Sequence, residues 1–350
     1  MSRLLLFNPE NDLALAADES QYTPPRAALT LRHAGALLPL WWAKEDDYIL
    51  VDTLSMAAQA EELKSRFNLH GTLVTSAPSG AAPHPWGWSR YTRSLFLRAG
   101  VDETLLPSDQ SLAAMRTLSH RRTTIEIHRK LDTPQHLRPV EAHTLDYAEE
   151  TIDRFGSAVI KLPWSSSGRG ILYSAQIPRD TLRNYISGII HRQGSALIEP
   201  HLQRINDFAA LFQCEGSQAH FRGLSAFNTD NRGCYIGNII APQSHIARHI
   251  GIDLTDTISR LTSIISNIIA PFYSGWLGVD MLTYADSHGH TALAPCIEVN
   301  LRSTMGIAVL HISEKLPVSD TPRTLHITPA PPTAEAINLS PSGQKISIWC

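Results

Sequence analysis

Cys296-Ile297-Glu298-Val299-Asn300-Leu301-Arg302, with Gly278-Val279-Asp280-Met281-Leu282 upstream of it, is the stretch on which the reading of this 350-residue chain turns. Both segments are rich in β-branched and large apolar residues, the composition of strands with at least one buried face. Residues two apart on a strand point the same way, so Glu298, Asn300 and Arg302 share a face, and Asp280 can join them from a neighbouring strand. Two carboxylates and an amide gathered in this way are hard oxygen ligands. Magnesium takes such ligands octahedrally and keeps waters and substrate phosphates in its remaining positions. Arg302 has the fork to clamp a transferring phosphoryl group or a carboxylate. A solvated or salt-bridged strand face is the plainer meaning of any one acidic residue, so the case depends on what lies upstream.

Upstream, Lys161 closes a predicted strand over Ala158 to Leu162 and is followed by Ser165-Ser166-Ser167-Gly168-Arg169-Gly170. Small residues let backbone N–H groups crowd around phosphate oxygens, hydroxyls add donors, and the Lys supplies positive charge. The loop is not a Walker A motif, because the chain contains no Gly-Lys dipeptide. Further on, Leu197-Ile198-Glu199-Pro200-His201-Leu202 reads as a strand end running into an extended segment, with Asp207 beyond it. Such a segment can present backbone groups to a base edge while a carboxylate accepts ribose hydroxyls. Taken singly, each of these has a bland reading, a flexible hairpin for the first and an ordinary strand end for the second.

The order of Arg121, Lys161, the Ser165 to Gly170 loop, Glu199, Asp207, Asp280 and Glu298-x-Asn300-x-Arg302 resembles the ATP-grasp superfamily over roughly residues 117 to 316. The resemblance implies two α+β lobes clasping ATP behind a small N-terminal α/β layer. It implies ATP contacts from Arg121, Lys161, Ser165, Ser166, Ser167, Gly168, Gly170, Glu199, Leu202 and Asp207. Asp280, Glu298 and Asn300 would hold Mg2+, with Mn2+ as the alternative, and Arg302 and Lys161 would be the catalytic cations. The implied reaction joins a small-molecule carboxylate to an amine through an acyl phosphate, releasing ADP and phosphate. A kinase acting on a hydroxyl and an ATP-binding regulatory protein are the alternatives, and a homodimer is a further expectation. The family usually carries a Lys early in its first helix, where this chain has Arg121 and Arg122; an Arg fork meets phosphate differently from a point ammonium charge.

The rest of the sequence bounds these expectations. Thirty Lys and Arg against 33 Asp and Glu leave a formal charge of −3, with no basic field for a nucleic-acid backbone or an anionic membrane. No apolar stretch reaches the roughly 20 residues of a membrane helix. Four scattered cysteines form no C-x-x-C pair, and the apolar start from Met1 to Phe7 is too short for a secretory core, so a cytoplasmic protein is expected. There is no G-x-S-x-G elbow, and His245 and His249 lack a third partner for zinc.

Alternating strands (Leu4 to Phe7, Tyr48 to Val51, Thr72 to Thr75) and helices (Ala27 to His33, Leu54 to Phe67) predict an N-terminal α/β domain over 1–117. A central lobe over 118–202 and a C-terminal lobe over 203–350 follow, the latter with the metal residues and a short extension in which Pro329 to Pro332 precede a final strand pair ending at Trp349. Asn8-Pro9-Glu10-Asn11-Asp12 and Pro85-Trp86-Gly87-Trp88 follow α/β-layer strands, where such folds place ligand loops. Each can line an acceptor site or serve plain turn and packing chemistry. Asn228 to Tyr235 and Gly237-Asn238 are further acceptor-side candidates from the last lobe.

Overall fold

The computed structural model describes residues 1–165, 170–230, 235–317 and 321–350. Along the chain run β1 (Arg3–Leu6), α1 (Asn11–Ala17), α2 (Arg26–Ala34), β2 (Tyr48–Leu50), α3 (Ala57–Phe67), β3 (Thr72–Val74), β4 (Ala82–Pro85), α4 (Arg90–Arg98) and α5 (Asp109–Leu118). They are followed by α6 (Arg122–Lys130), β5 (Val140–Ala142), α7 (Leu145–Phe155), β6 (Ala158–Lys161), β7 (Ile171–Tyr173), α8 (Arg179–Gln193) and β8 (Ala196–Pro200). Beyond these lie β9 (Gln203–Glu215), β10 (Gln218–Thr229), β11 (Tyr235–Ile240), α9 (Gln243–Ile250), α10 (Thr255–Ile268), β12 (Gly275–Ala285), β13 (Thr291–Asn300), α11 (Met305–Lys315), β14 (Arg323–Thr328) and β15 (Ser347–Trp349). Two compact units result, the first from Met1–Met115, Ile236–Ile246 and Arg302–Cys350, the second from Arg116–Tyr235 and Ala247–Leu301.

The first unit is built on a parallel sheet in the order β3-β2-β1-β4. Strand β1 is buried on both faces: Leu4 and Leu6 pack with Phe96 and Val101, while Leu5 and Phe7 pack with Trp41 and Ile49. That two-sided burial is why β1 reads as an unbroken apolar run rather than an alternating one, and each such Leu contributes roughly 1.5–3 kcal/mol of burial. Strand β4 is less legible, because its sequence Ala82-Pro83-His84-Pro85 contains two prolines. It is an edge strand, and the backbone donors Ala82 N at its start and Trp86 N just beyond its end reach Ser2 O, just before β1, and Leu6 O of β1, 2.9 and 2.7 Å away. The prolines fall at the alternate positions, where no donor toward β1 is needed.

Residues 302–350 belong to this first unit and not to the strands just before them. Helix α11 is the cause: it starts at Thr304, whose hydroxyl accepts from Ile307 N, and it buries Ala308, Val309 and Ile312 with Trp41 and Leu38. Its apolar residues run nearly without interruption, so it shows no one-sided period. The C-terminal strand pair also differs from expectation. Pro329 to Pro332 lie between its two members, since β14 precedes them and pairs antiparallel with β15 after them.

The second unit holds two antiparallel arrangements. In one, the order is β5-β8-β6-β7, covered by α7 and α8 through Ala148, Ile186 and Ile189. In the other, β13, β12, β9 and β10 are successive neighbours, with α10 against β10 and α6 against β13. Phe208 and Phe212 of β9 are fully buried. No described helix is long and apolar enough to cross a membrane.

Candidate functional site

Lys161 ends β6 opposite Leu197 of β8, and Glu199 lies two residues on, opposite Val159. Residues opposite one another share a face, so Lys161 and Glu199 form a diagonal pair that a long side chain can span. Lys161 Nζ stands 2.5 Å from Glu199 Oε2, and both residues are buried. Glu199 Oε1, also buried, has no hydrogen-bond partner among the described residues. An acceptor held dry in this way is costly unless something else fills its bond.

Arg121 ties this region to the strands of the carboxylates. It is 4% exposed and precedes α6; its Nη1 donates to Leu162 O at 2.6 Å and to Ser165 Oγ at 2.7 Å, and its Nη2 donates to Glu298 Oε1 at 2.7 Å. Of the two candidate arginines at this point of the sequence, Arg121 is therefore the buried one that meets the loop, whereas the half-exposed Arg122 pairs with Glu141 at 2.9 Å. Ser166, Ser167, Gly168 and Arg169 lie outside the described residues. Gly170 closes the loop at φ +78°, where a Cβ would also come within 2.3 Å of Leu162 Cδ1. Only glycine fits that position without strain.

On β12 and β13, Asp280 is directly opposite Glu298, and Gly278 is opposite Asn300. Asp280, Glu298 and Asn300 thus share one face of the sheet. Asn300 Nδ2 donates to Asp280 Oδ2 at 3.0 Å, which engages the amide by the end that does not bind metals. No group of three His, Cys, Asp or Glu side chains among the described residues is arranged to hold a metal ion, so the donor set here is two carboxylates plus an amide. That chemistry suits a hard cation that retains waters. Asp207 on β9 is two residues from Ala209, the partner of Asp280, and so falls on the same face by strand alternation. Its Oδ2 accepts from Thr229 Oγ1 at 2.6 Å and lies 3.5 Å from Arg204. Leu202 packs with Leu137, Leu282 and Tyr284.

Arg302 behaves differently. It belongs to the first unit, where Nε and Nη2 meet both oxygens of Asp12 in α1 at 2.7–3.0 Å and Nη1 donates to Ser303 O at 3.0 Å. An intramolecular carboxylate thereby occupies the fork that the sequence assigns to a phosphoryl group or a substrate acid. Asp12 was not singled out as its partner, since the two are 290 residues apart and no local pattern links them.

Asn8-Pro9-Glu10-Asn11-Asp12 and Pro85-Trp86-Gly87-Trp88 meet at the carboxyl ends of β1 and β4. Asn8 Nδ2 donates to Gly87 O and Thr92 Oγ1 at 2.9 and 3.0 Å, and Gly87 N donates to Asn8 Oδ1 at 3.3 Å. With its amide turned, Asn11 donates to Gly87 O and Trp88 O. A Cβ on Gly87 would come within 2.5 Å of Asn11, which is why glycine stands there. Glu10 is buried against Arg32 at 3.1 Å; burial raises its pKa, outweighing the pull of Arg32.

Beside Arg121, His120 is 2% exposed and meets Trp164 edge-on at 4.5 Å between ring centroids. Burial, followed by the charge of Arg122, pushes its pKa down to about 4. The folded chain keeps His120 neutral, while the unfolded chain takes up a proton near pH 6.5, so its contribution is complete above that value and declines as the pH falls toward 4. The loss totals about 3 kcal/mol. Urea unfolding across this range is expected to show a shallower decline for His120→Gln than for the natural chain; parallel declines would refute the assignment.

No protein-family profile matches the chain, and no curated protein matches it in sequence. Solved structures do match. The N5-carboxyaminoimidazole ribonucleotide synthetase of Thermus thermophilus aligns over 100% of this chain and 93% of its own, with a TM-score of 0.52 at 14% identity. A biotin carboxylase of Campylobacter jejuni, solved as a beta-gamma-ATP complex, aligns over 98% of this chain and 83% of its own, with a TM-score of 0.52 at 12% identity.

Proposed function

The chain has the ATP-grasp fold, and from that premise we propose that it is a magnesium-dependent ligase that joins a carboxylate to an amine at the expense of ATP. One observation carries the reading: within a single unit, Arg121 bonds at once to Ser165 of the phosphate-side loop and to Glu298 of the Asp280, Glu298 and Asn300 face. A cation placed between a hydroxyl-bearing loop and a carboxylate pair is suited to steering a triphosphate toward a metal-binding face.

In the proposed reaction a carboxylate oxygen of the substrate attacks the γ-phosphorus and ADP leaves, giving an acyl phosphate. The amine then attacks the acyl carbon, phosphate leaves, and the nitrogen loses a proton. Lys161 and Arg121 orient the phosphate oxygens, with Ser165 and Gly170 beside them, and the Glu199 to Asp207 segment receives the base and ribose. Asp280, Glu298 and Asn300 would hold Mg2+ or Mn2+, which would supply neutralisation of the charge on the transferring phosphoryl group. In the first unit, Arg302 holds the Asp12 carboxylate with a fork that would suit a substrate carboxylate equally, one planar oxygen pair for another. Positioning and electrostatics carry such a transfer, and no residue forms a covalent bond to substrate.

The test is ADP release from MgATP in the presence of pooled amino acids and small carboxylic acids, followed by mass analysis of the product. The expected result is an amide with stoichiometric ADP and free phosphate. A stable phosphoester would instead identify a kinase, and MgATP binding with no ADP release across the panel would identify a nucleotide-dependent binder.

A further inference from the structure

The parallel sheet of the first unit offers a second place for a ligand. In such sheets small molecules lie outside the carboxyl ends of the strands, usually where the strand order reverses. The order β3-β2-β1-β4 reverses between β1 and β4, but that crevice is filled by Asn8, Asn11 and Gly87 bonded to one another. A cleft of about 280 Å³ lies instead at the carboxyl ends of β1 and β2. Leu6, Phe7, Val51 and Met56 line it with apolar surface, and Asp52, Thr53, Ser55 and Gln59 line it with polar groups.

Asp52 sets the chemistry. It directly follows Val51 at the end of β2, and its carboxylate is 56% exposed, 3.1 Å from His33 Nε2 and 3.6 Å from Arg32 Nη2. A carboxylate accepts about four hydrogen bonds, so these two neighbours leave acceptor capacity toward the cleft. A phosphate is disfavoured. The turn from β1 into α1, Phe7-Asn8-Pro9-Glu10, contains no glycine for close backbone approach, and the charge of Arg32 is already answered by Glu10 at 3.1 Å. What remains suits a ligand with vicinal hydroxyls on one part and a flat, weakly polar ring on the other.

We propose that this cleft binds a ribonucleoside, with Asp52 accepting from the sugar hydroxyls and the surface of Phe7, Val51 and Met56 carrying the base. The site consists wholly of first-unit residues and does not depend on the ligase reading. Binding of adenosine, guanosine, cytidine and uridine, each beside its 2′-deoxy form, is measured by calorimetry on the full chain. At least one ribonucleoside is expected to bind, about tenfold or more tighter than its deoxy counterpart and than to Asp52→Ala, as the loss of a hydrogen bond to a charged group implies. Ser55→Trp, which places bulk on an exposed wall of the cleft, is expected to abolish binding. Asp52 is exposed enough that Asp52→Ala decides the matter should Ser55→Trp fail to fold. Absence of binding by all four, equal binding of the deoxy forms, or binding unchanged in Asp52→Ala would overturn the proposal.

Discussion

Glu298→Gln is expected to lower MgATP turnover by about a thousandfold or more, some 4 kcal/mol of transition-state stabilisation. The reason lies in charge rather than shape. Glutamine keeps the length of the side chain and an oxygen that can still accept from Arg121, whose Nη2 now stands 2.7 Å from Glu298 Oε1. It removes the negative charge that, together with Asp280 opposite it, would hold a divalent cation against the triphosphate. Because an acceptor for Arg121 survives, the cost in folding stability is expected to be about 1–2 kcal/mol. ADP release and urea unfolding, measured side by side, separate the two effects. Turnover within tenfold of the natural chain at saturating magnesium would sink the metal assignment.

Lys161→Met is expected to destabilise the chain by roughly 3–5 kcal/mol, because it leaves Glu199 as an uncompensated buried carboxylate. Glu199 is already short of bonds: Oε2 depends on Lys161 and Oε1 has no partner among the described residues. Removing both charges should recover much of the loss, so the double variant Lys161→Met with Glu199→Leu is expected to unfold at a higher urea concentration than Lys161→Met alone. Neither variant is expected to bind ADP with natural affinity, because the proposed nucleotide site draws on the lysine's charge and the glutamate's oxygens. If the double variant proves no more stable than the single one, the pair is not energetically coupled. If it binds ADP as the natural chain does, the nucleotide assignment of both residues fails.

Much of this molecule was legible in local patterns. The continuous apolar run of β1, the alternation that places Glu298 and Asn300 on one face, and the one-sided helix from Leu254 are short-range signals whose period survives folding. Strand β4 was not legible, since two prolines argue against a strand until an edge position, where half the backbone donors face away from the sheet, makes them tolerable. Helix α11 was missed for the opposite reason: a helix enclosed on most sides loses the polar stripe that advertises it. Nor was the pairing of Asn8 and Asn11 with Gly87 visible, because glycine there answers to a side chain some 76 residues away in sequence and not to its own neighbours.

By itself the sequence determined which residues could carry chemistry and in what order: cations and small residues first, then a strand-end carboxylate, then acids and an amide at strand spacing. Tertiary structure alone decided their partners. It buried Arg121 between Ser165 and Glu298, closed Lys161 onto Glu199, and gave Arg302 to Asp12. The physical reason is that alternation and helical period are properties of neighbours a few residues apart, whereas the burial and pairing of a charge depend on which distant segments exclude water around it, and only the folded chain brings those together.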